Sequence, residues 1–252
     1  MLDSRIAEAR RALAPARFVL VLTGAGVSAE SGVPTFRGPG GYWRNRHFSE
    51  LANPDAFASE PRTVWDWYLE RRSTVRLCTP NAAHAALAAW AARRHADGEP
   101  RGALVTQNVD GLHERAGHPE VIRFHGSLWR NRCSACGAER EDEALHHAEL
   151  PVSPCCGALE RPGVVWFGEA IPRAALDAAY DAVQAADAAL VIGTAGVVYP
   201  AAALVESVRA AGAPVVEVNP DEDYGLGERG AFGGVWLRGP AGAIVPRLLA
   251  EV

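Results

Sequence analysis

Apolar positions along the chain fall into short unbroken runs separated by longer Ala-rich stretches. The clearest runs are residues 18–22 (FVLVL), 103–106 (ALVT), 189–192 (ALVI) and 214–218 (PVVEV), with 121–124 (VIRF) a weaker one. Runs without polar alternation suit strands buried on both faces, as in a parallel sheet covered by helices. Residues 81–96, 173–186 and 201–211 lie between them and read as helices. Strand and helix in alternation predict an α/β fold built on a Rossmann-like parallel sheet.

Two stretches break this pattern. Residues 38–80 open as a Gly/Pro-rich loop and continue as helix carrying Trp43, Trp65, Trp67 and Tyr68, and residues 130–160 hold a cluster of cysteines. Both read as insertions that form a smaller module. The Rossmann-like part then takes about residues 1–37, 81–129 and 161–252 of a single catalytic domain. A junction between two modules is a common place for a ligand cleft.

Composition narrows the class. With 48% hydrophobic and 22% charged residues, the chain reads as an ordinary globular protein. A net charge of -5 argues against sequence-independent nucleic-acid binding, which needs a basic surface. The opening MLDSRIAEARRAL is an Arg-rich amphipathic helix pattern without the apolar core of a signal peptide. No apolar run approaches the ~20 residues of a membrane span. A cytoplasmic protein with no membrane or direct nucleic-acid partner is expected. All 25 basic residues are Arg, so only the N-terminal amine offers a nitrogen for acylation. Five cysteines, four of them within residues 133–156, do not suggest a secreted disulfide scaffold.

The chemistry begins after the first run. Gly24, Gly26 and Ala29 in Thr23-Gly-Ala-Gly-Val-Ser-Ala29 match the G-x-G-x-x-G/A fingerprint of dinucleotide sites. The first Gly permits a tight turn, the second a close approach to pyrophosphate, and the small third residue helix–strand packing. Phosphate would meet free N–H groups at a helix start. A tight strand-to-helix turn without a ligand gives the same pattern. No strand-end acid follows at the distance at which a usual dinucleotide fold binds the ribose, so a dinucleotide here would be held differently.

The run continues to Gly38, and GAGVSAESGVPTFRG resembles the opening motif of the sirtuins. Four further blocks are similar, in order: Gln107-Asn-Val-Asp-Gly-Leu-His113; Phe124-His125-Gly126; Val164-Val-Trp-Phe-Gly-Glu169; and the late group Gly193-Thr194, Tyr199-Pro200-Ala201 and Asn219-Pro220. The resemblance covers nearly the whole chain. It implies a Rossmann-like domain with a zinc module, NAD as co-substrate, and acyl-lysine proteins or peptides as the other substrate. The implied products are free lysine, nicotinamide and O-acyl-ADP-ribose.

The resemblance also implies roles. His125 would be the catalytic base, a task that suits a side chain titrating near ~6.5. Asn108 and Asp110 would line the nicotinamide pocket, although Asn-Val-Asp-Gly is equally good turn chemistry. Phe36 would cover the reacting ribose. Gly24, Ala25, Gly26, Glu30, Arg37, Gln107, Gly193, Thr194, Asn219 and Ala241 would be further NAD contacts. The family usually has Ser after Gly-Thr, whereas this chain has Ala195. Val165, Trp166, Phe167 and Gly168 would pair with the substrate peptide as an added strand.

Tyr68 and Arg71 stand three apart, which places them on one helix face. A solvated face gives the same spacing, but a Tyr-x-x-Arg pair at this place resembles the sirtuin branch that removes succinyl and malonyl groups. A phenol and a guanidinium together suit a carboxylate, and small Ala52 leaves room for a longer acyl chain. Cys133-x-x-Cys136 with Cys155-Cys156 resembles the family's structural zinc site. The usual second pair is also C-x-x-C, whereas here Ser153 stands three before Cys156 and the extra thiol is adjacent. His146 or His147 could stand in for one cysteine. Two other readings stay open: ADP-ribosyl transfer to protein, and a non-catalytic NAD-sensing or zinc-ribbon module.

Overall fold

A computed structural model describes residues 2–35, 42–95, 98, 101–194, 196–220 and 230–252. Phe36, Arg37 and Ala195, three positions singled out by sequence, lie outside the described residues. In chain order the elements begin with α1 (Leu2–Leu13), β1 (Val19–Thr23), α2 (Gly26–Ala29), β2 (Tyr42–Trp43), β3 (Arg46–His47), α3 (Pro54–Ser59), α4 (Pro61–Leu77) and α5 (Ala82–Arg94). Then come β4 (Gly102–Thr106), α6 (Leu112–Arg115), β5 (Val121–Arg123), β6 (Gly126–Cys133), β7 (Glu139–Glu141) and β8 (Glu160–Val164). The last are α7 (Arg173–Ala185), β9 (Ala188–Ile192), α8 (Ala201–Ala210), β10 (Val215–Asn219), β11 (Val235–Arg238) and α9 (Ala241–Leu249).

The five apolar runs are strands of one six-stranded sheet, ordered β11-β10-β9-β1-β4-β5 and parallel throughout. Every residue of β1, β9 and β10 is buried, which is why their sequences do not alternate. The two faces separate within β1. Val19 and Val21 pack with Ile6, Leu87 and Ile244 of α1, α5 and α9, while Leu20 and Leu22 pack with Ala182, Leu204 and Val208 of α7 and α8. From β1 the chain builds first toward β4 and β5 and later toward β9, β10 and β11. That reversal opens a crevice at the carboxyl ends of β1, β4 and β9.

The insertions make a second core. β6, β7 and β8 form an antiparallel sheet in the order β7-β6-β8, spanning residues 126–164. Helix α4 lies against it, and Val64, Trp65, Tyr68 and Leu69 pack with Leu128, Val164 and Trp166. Its polar anchor is Arg72, whose side chain is fully buried. The guanidinium donates to Leu128 O at 2.6 Å, Asn131 Oδ1 at 2.9 Å, Ala144 O at 3.0 Å and Asp142 Oδ2 at 3.0 Å. Trp65 Nε1 donates to Glu160 O at 2.9 Å beside it. Among the described residues no helix is long and apolar enough to cross a membrane.

Removing one member of such a buried ionic network strands the others. Arg72→Met is expected to lower unfolding stability by about 3–5 kcal/mol, read from urea denaturation followed by circular dichroism. A loss below about 1 kcal/mol would remove Arg72 from its place as the anchor of α4.

Candidate active site

The crevice is built from residues that leave the parallel strands. Gly24 N donates to Ile192 O at 3.0 Å and Gly26 N to Gly193 O at 2.9 Å, so the turns after β1 and β9 touch through backbone. A Cβ on Gly26 would sit 2.7 Å from Gly193 Cα, and one on Gly193 (φ +62) would sit 2.3 Å from Val27 N. Only glycine allows that crossing. This backbone contact explains both glycines without a ligand. The N–H groups that open the one-turn helix α2 are bonded within the chain, Gly26 N to Gly193 O at 2.9 Å, Val27 N to Gly24 O at 3.1 Å and Ser28 N to Ala25 O at 3.2 Å.

Side chains continue the row. Gln107 Nε2 donates to Thr194 Oγ1 at 2.9 Å, and Asn219 Nδ2 donates to Thr194 O at 2.8 Å. Residues from the ends of β4, β9 and β10 are thereby joined. Glu30, expected to touch NAD, accepts from Gly242 N at 2.6 Å. It bridges α2 to the first turn of α9, beside Ala241, where a carboxylate favours the helix start.

Asn108 and Asp110 meet at a residue that the sequence argument left out. Ser28 Oγ donates to Asp110 Oδ2 at 2.8 Å, and Asn108 Nδ2 lies 3.1 Å from Ser28 Oγ. Asp110 Oδ1 accepts from Leu112 N at 2.9 Å. Burial pushes the Asp110 carboxyl up from its ordinary value, with both hydrogen bonds opposing. Behind it stand two buried imidazoles, His84 and His113, with ring centroids 4.8 Å apart. His84 Nε2 lies 3.3 Å from Ser28 Oγ and His113 Nε2 lies 3.0 Å from Thr23 Oγ1. Burial pushes His84 down to about 4 and His113 well below the usual imidazole value. His84 had a readable signal in Asn81-Ala-Ala-His84, a capping box in which Asn81 N donates to His84 Nδ1.

His125 follows β5. Its Nδ1 lies 3.1 Å from Gln107 O. A carbonyl only accepts, so Nδ1 carries the proton and Nε2 keeps its lone pair. Burial lowers the His125 pKa, and the bond to Gln107 opposes that shift. Burial thus favours the neutral imidazole over the cation.

The segment that the sequence assigns to the acyl-lysine substrate adjoins it. Val165 N donates to His125 O at 2.9 Å, and Phe167 N donates to Ala52 O at 3.0 Å. Trp166 Nε1 donates to Tyr68 Oη at 2.9 Å. The Arg71 guanidinium lies 5.2 Å from the Trp67 ring centroid, and it interacts electrostatically with both Tyr68 and Asp110. Ala52, Tyr68 and Trp166 are buried in one cluster, whereas Phe167 is 55% exposed. Residues 165–168 are not a strand, and the N–H groups of Val165, Trp166 and Phe167 are bonded within the chain.

The four clustered cysteines converge. One Sγ from each of Cys133, Cys136, Cys155 and Cys156 lies within 4.8 Å of the others. Four thiolates around zinc at about 2.3 Å stand roughly 3.8 Å apart, so this set fits the ion. Ser153 Oγ lies 3.0 Å from Cys155 Sγ. His147 is engaged elsewhere, 3.2 Å from Asp142 and edge-on to Trp65.

Residues 24–200 match the model of the Sir2 family. The chain is 48% identical to an NAD-dependent protein deacylase of Methylococcus capsulatus over 94% of its length and 93% of the relative's. It is 45% identical to NAD-dependent protein deacylase 2 of Pyrobaculum aerophilum, over 95% of this chain and 93% of that one. The structure of a Sir2 homologue in complex with NAD superposes with a TM-score of 0.86 at 43% identity, covering 97% of this chain and 92% of the other. A Sir2 homologue holding 2′-O-acetyl ADP ribose gives the same score at 44% identity, covering 97% and 95%. This chain belongs to the Sir2 family, the sirtuins that its motifs resemble.

Proposed function

We propose that this protein removes acyl groups from lysine side chains of proteins or peptides, consuming NAD and one water and releasing free lysine, nicotinamide and O-acyl-ADP-ribose. The observation that carries the reading is His125, whose Nδ1 is held by Gln107 O so that Nε2 keeps its lone pair, standing in one row with Gln107, Thr194 and Asn219. The chemistry NAD supplies is an anomeric carbon from which nicotinamide departs as the substrate's acyl oxygen bonds to it. A ribose hydroxyl must then lose its proton to attack the acyl carbon, and His125 Nε2 is the group to take it. Gln107 O holds the imidazole in that tautomer. Gly24, Ala25, Gly26, Glu30, Gln107, Gly193, Thr194, Asn219 and Ala241 are proposed as further NAD contacts. Asn108 and Asp110, steadied by Ser28, receive the carboxamide. On this reading Phe36 and Arg37 belong to the same NAD site.

Tyr68 and Arg71 are proposed to take the distal carboxylate of succinyl or malonyl groups, over the small Ala52. Val165, Phe167 and Gly168 are proposed to border the peptide. With so many N–H groups already bonded, the pairing falls to carbonyls and to Gly168. Cys133, Cys136, Cys155 and Cys156 are proposed to hold one structural zinc, closed to chemistry.

His125→Ala is expected to cut deacylation by about 10²–10⁴-fold while leaving NAD affinity within about twofold of the parent. Nicotinamide release and calorimetric NAD titration measure the two. Near-normal turnover would remove His125 as the base. Mass spectrometry of the products separates the chemistries: free lysine with O-acyl-ADP-ribose supports deacylation, and an ADP-ribosylated protein overturns it.

Metal analysis of the purified protein is expected to find about one zinc per chain, and chelation is expected to lower the thermal midpoint. Metal-free protein of unchanged stability would contradict the zinc assignment.

A further inference from the structure

Trp166 lies in the segment that sequence assigned to the peptide, yet its side chain points into the acyl side. The indole is 3% exposed and its Nε1 lies 2.9 Å from Tyr68 Oη. An indole N–H only donates, so Tyr68 Oη is the acceptor of this bond. The phenol's own proton is left for another partner, and among the described residues none is bonded to it. A carboxylate accepts and never donates. A phenol serves a carboxylate only while its O–H faces the ligand.

The indole is held in place on several sides. The Arg161 guanidinium lies 3.4 Å from the ring centroid, and the Phe57 ring lies 5.4 Å away. Arg161 is itself fastened by Glu169 Oε1 at 2.5 Å, Glu169 Oε2 at 2.9 Å and Val164 O at 2.6 Å. Trp166 N donates to the same Glu169 carboxylate at 2.8 Å. Arg161, Glu169 and Trp166 thus lock the indole N–H on the phenol oxygen.

We propose that Trp166 is a positioning residue for acyl selectivity: it occupies the acceptor side of the Tyr68 hydroxyl and so fixes that hydroxyl as a donor to acyl groups that end in an anionic acceptor. This rests on the reading of Tyr68 and Arg71 as the carboxylate pair. Arg161 acts one step further out, by stacking on the indole. Acetyl groups have no distal acceptor, so their hydrolysis is indifferent to the orientation of the phenol.

The experiment compares kcat/KM for succinyl- and acetyl-lysine peptides of one sequence, with NAD, across a set of variants. Trp166→Phe keeps a ring and loses the N–H. It is expected to lower the succinyl-to-acetyl ratio about three- to tenfold, the worth of one neutral hydrogen bond, mainly through KM for the succinyl peptide. Tyr68→Phe should lower the ratio similarly, and adding Trp166→Phe to it should change the ratio no further, because the indole acts through the hydroxyl. Arg161→Met keeps the indole but removes the guanidinium stacked on it, so the N–H is no longer locked on the phenol oxygen; it is expected to lower the ratio in the same direction, which keeps the test open if Trp166→Phe fails to fold. An unchanged ratio in Trp166→Phe, or in Arg161→Met where only that variant folds, overturns the proposal, as does a full further loss in the double variant. Arg71→Met is the reference. If it lowers both substrates equally, the carboxylate reading itself fails; if it lowers the succinyl peptide selectively while Trp166→Phe does not, only the role of Trp166 falls.

Discussion

A parallel sheet must satisfy the backbone groups at its carboxyl edge, and that requirement arranges the crevice. One residue beyond each strand, an N–H still reaches the last carbonyls of its neighbour. Gln107 N donates to Thr23 O at 2.9 Å, Phe124 N to Thr106 O at 3.0 Å, Gly24 N to Ile192 O at 3.0 Å and Gly193 N to Val218 O at 2.9 Å. Buried backbone donors left unpaired are costly, so these bonds are kept. They align the residues that begin the next turns, Gly24, Gln107, Phe124 and Gly193, along one edge. His125 and Thr194 follow directly, and the glycine crossing brings the β1 and β9 turns into contact.

The second module depends on that row. Val165 N is bonded to His125 O, and Phe167 N to Ala52 O, so one short segment ties His125 to the helical insertion. Helix α4 is in turn fixed to the antiparallel sheet by Arg72 and Trp65. The cluster of Ala52, Tyr68 and Trp166 is therefore positioned by buried polar contacts, which tolerate little displacement before a partner is stranded.

The parallel sheet was legible in the sequence because strands buried on both faces leave continuous apolar runs. Each of the five runs is a strand, with ends that move by at most one residue. The antiparallel sheet was harder to read. In β6, Asn131 is buried among arginines, and Glu160 of β8 is 2% exposed beneath Arg140. A core made of paired polar groups has no hydrophobic signature. The departure at Cys155-Cys156 was visible as a question, and the coordinates bring both thiols to the cluster. Glu30 was visible as a motif residue, yet its bond to Gly242 joins positions far apart in the chain. Ser28 sat unremarked inside the glycine motif, and its link to Asp110 needs the fold. The same is true of the Trp166–Tyr68 bond.

The central claim is that His125 is a neutral imidazole with its proton on Nδ1 and its lone pair on Nε2. ¹⁵N NMR of the imidazole nitrogens, followed through a pH titration, tests it most directly. The account predicts the Nδ1–H tautomer, held by Gln107 O, and a pKa below the ordinary ~6.5 because burial disfavours the cation. An Nε2–H tautomer, or a pKa above ~7, would contradict it.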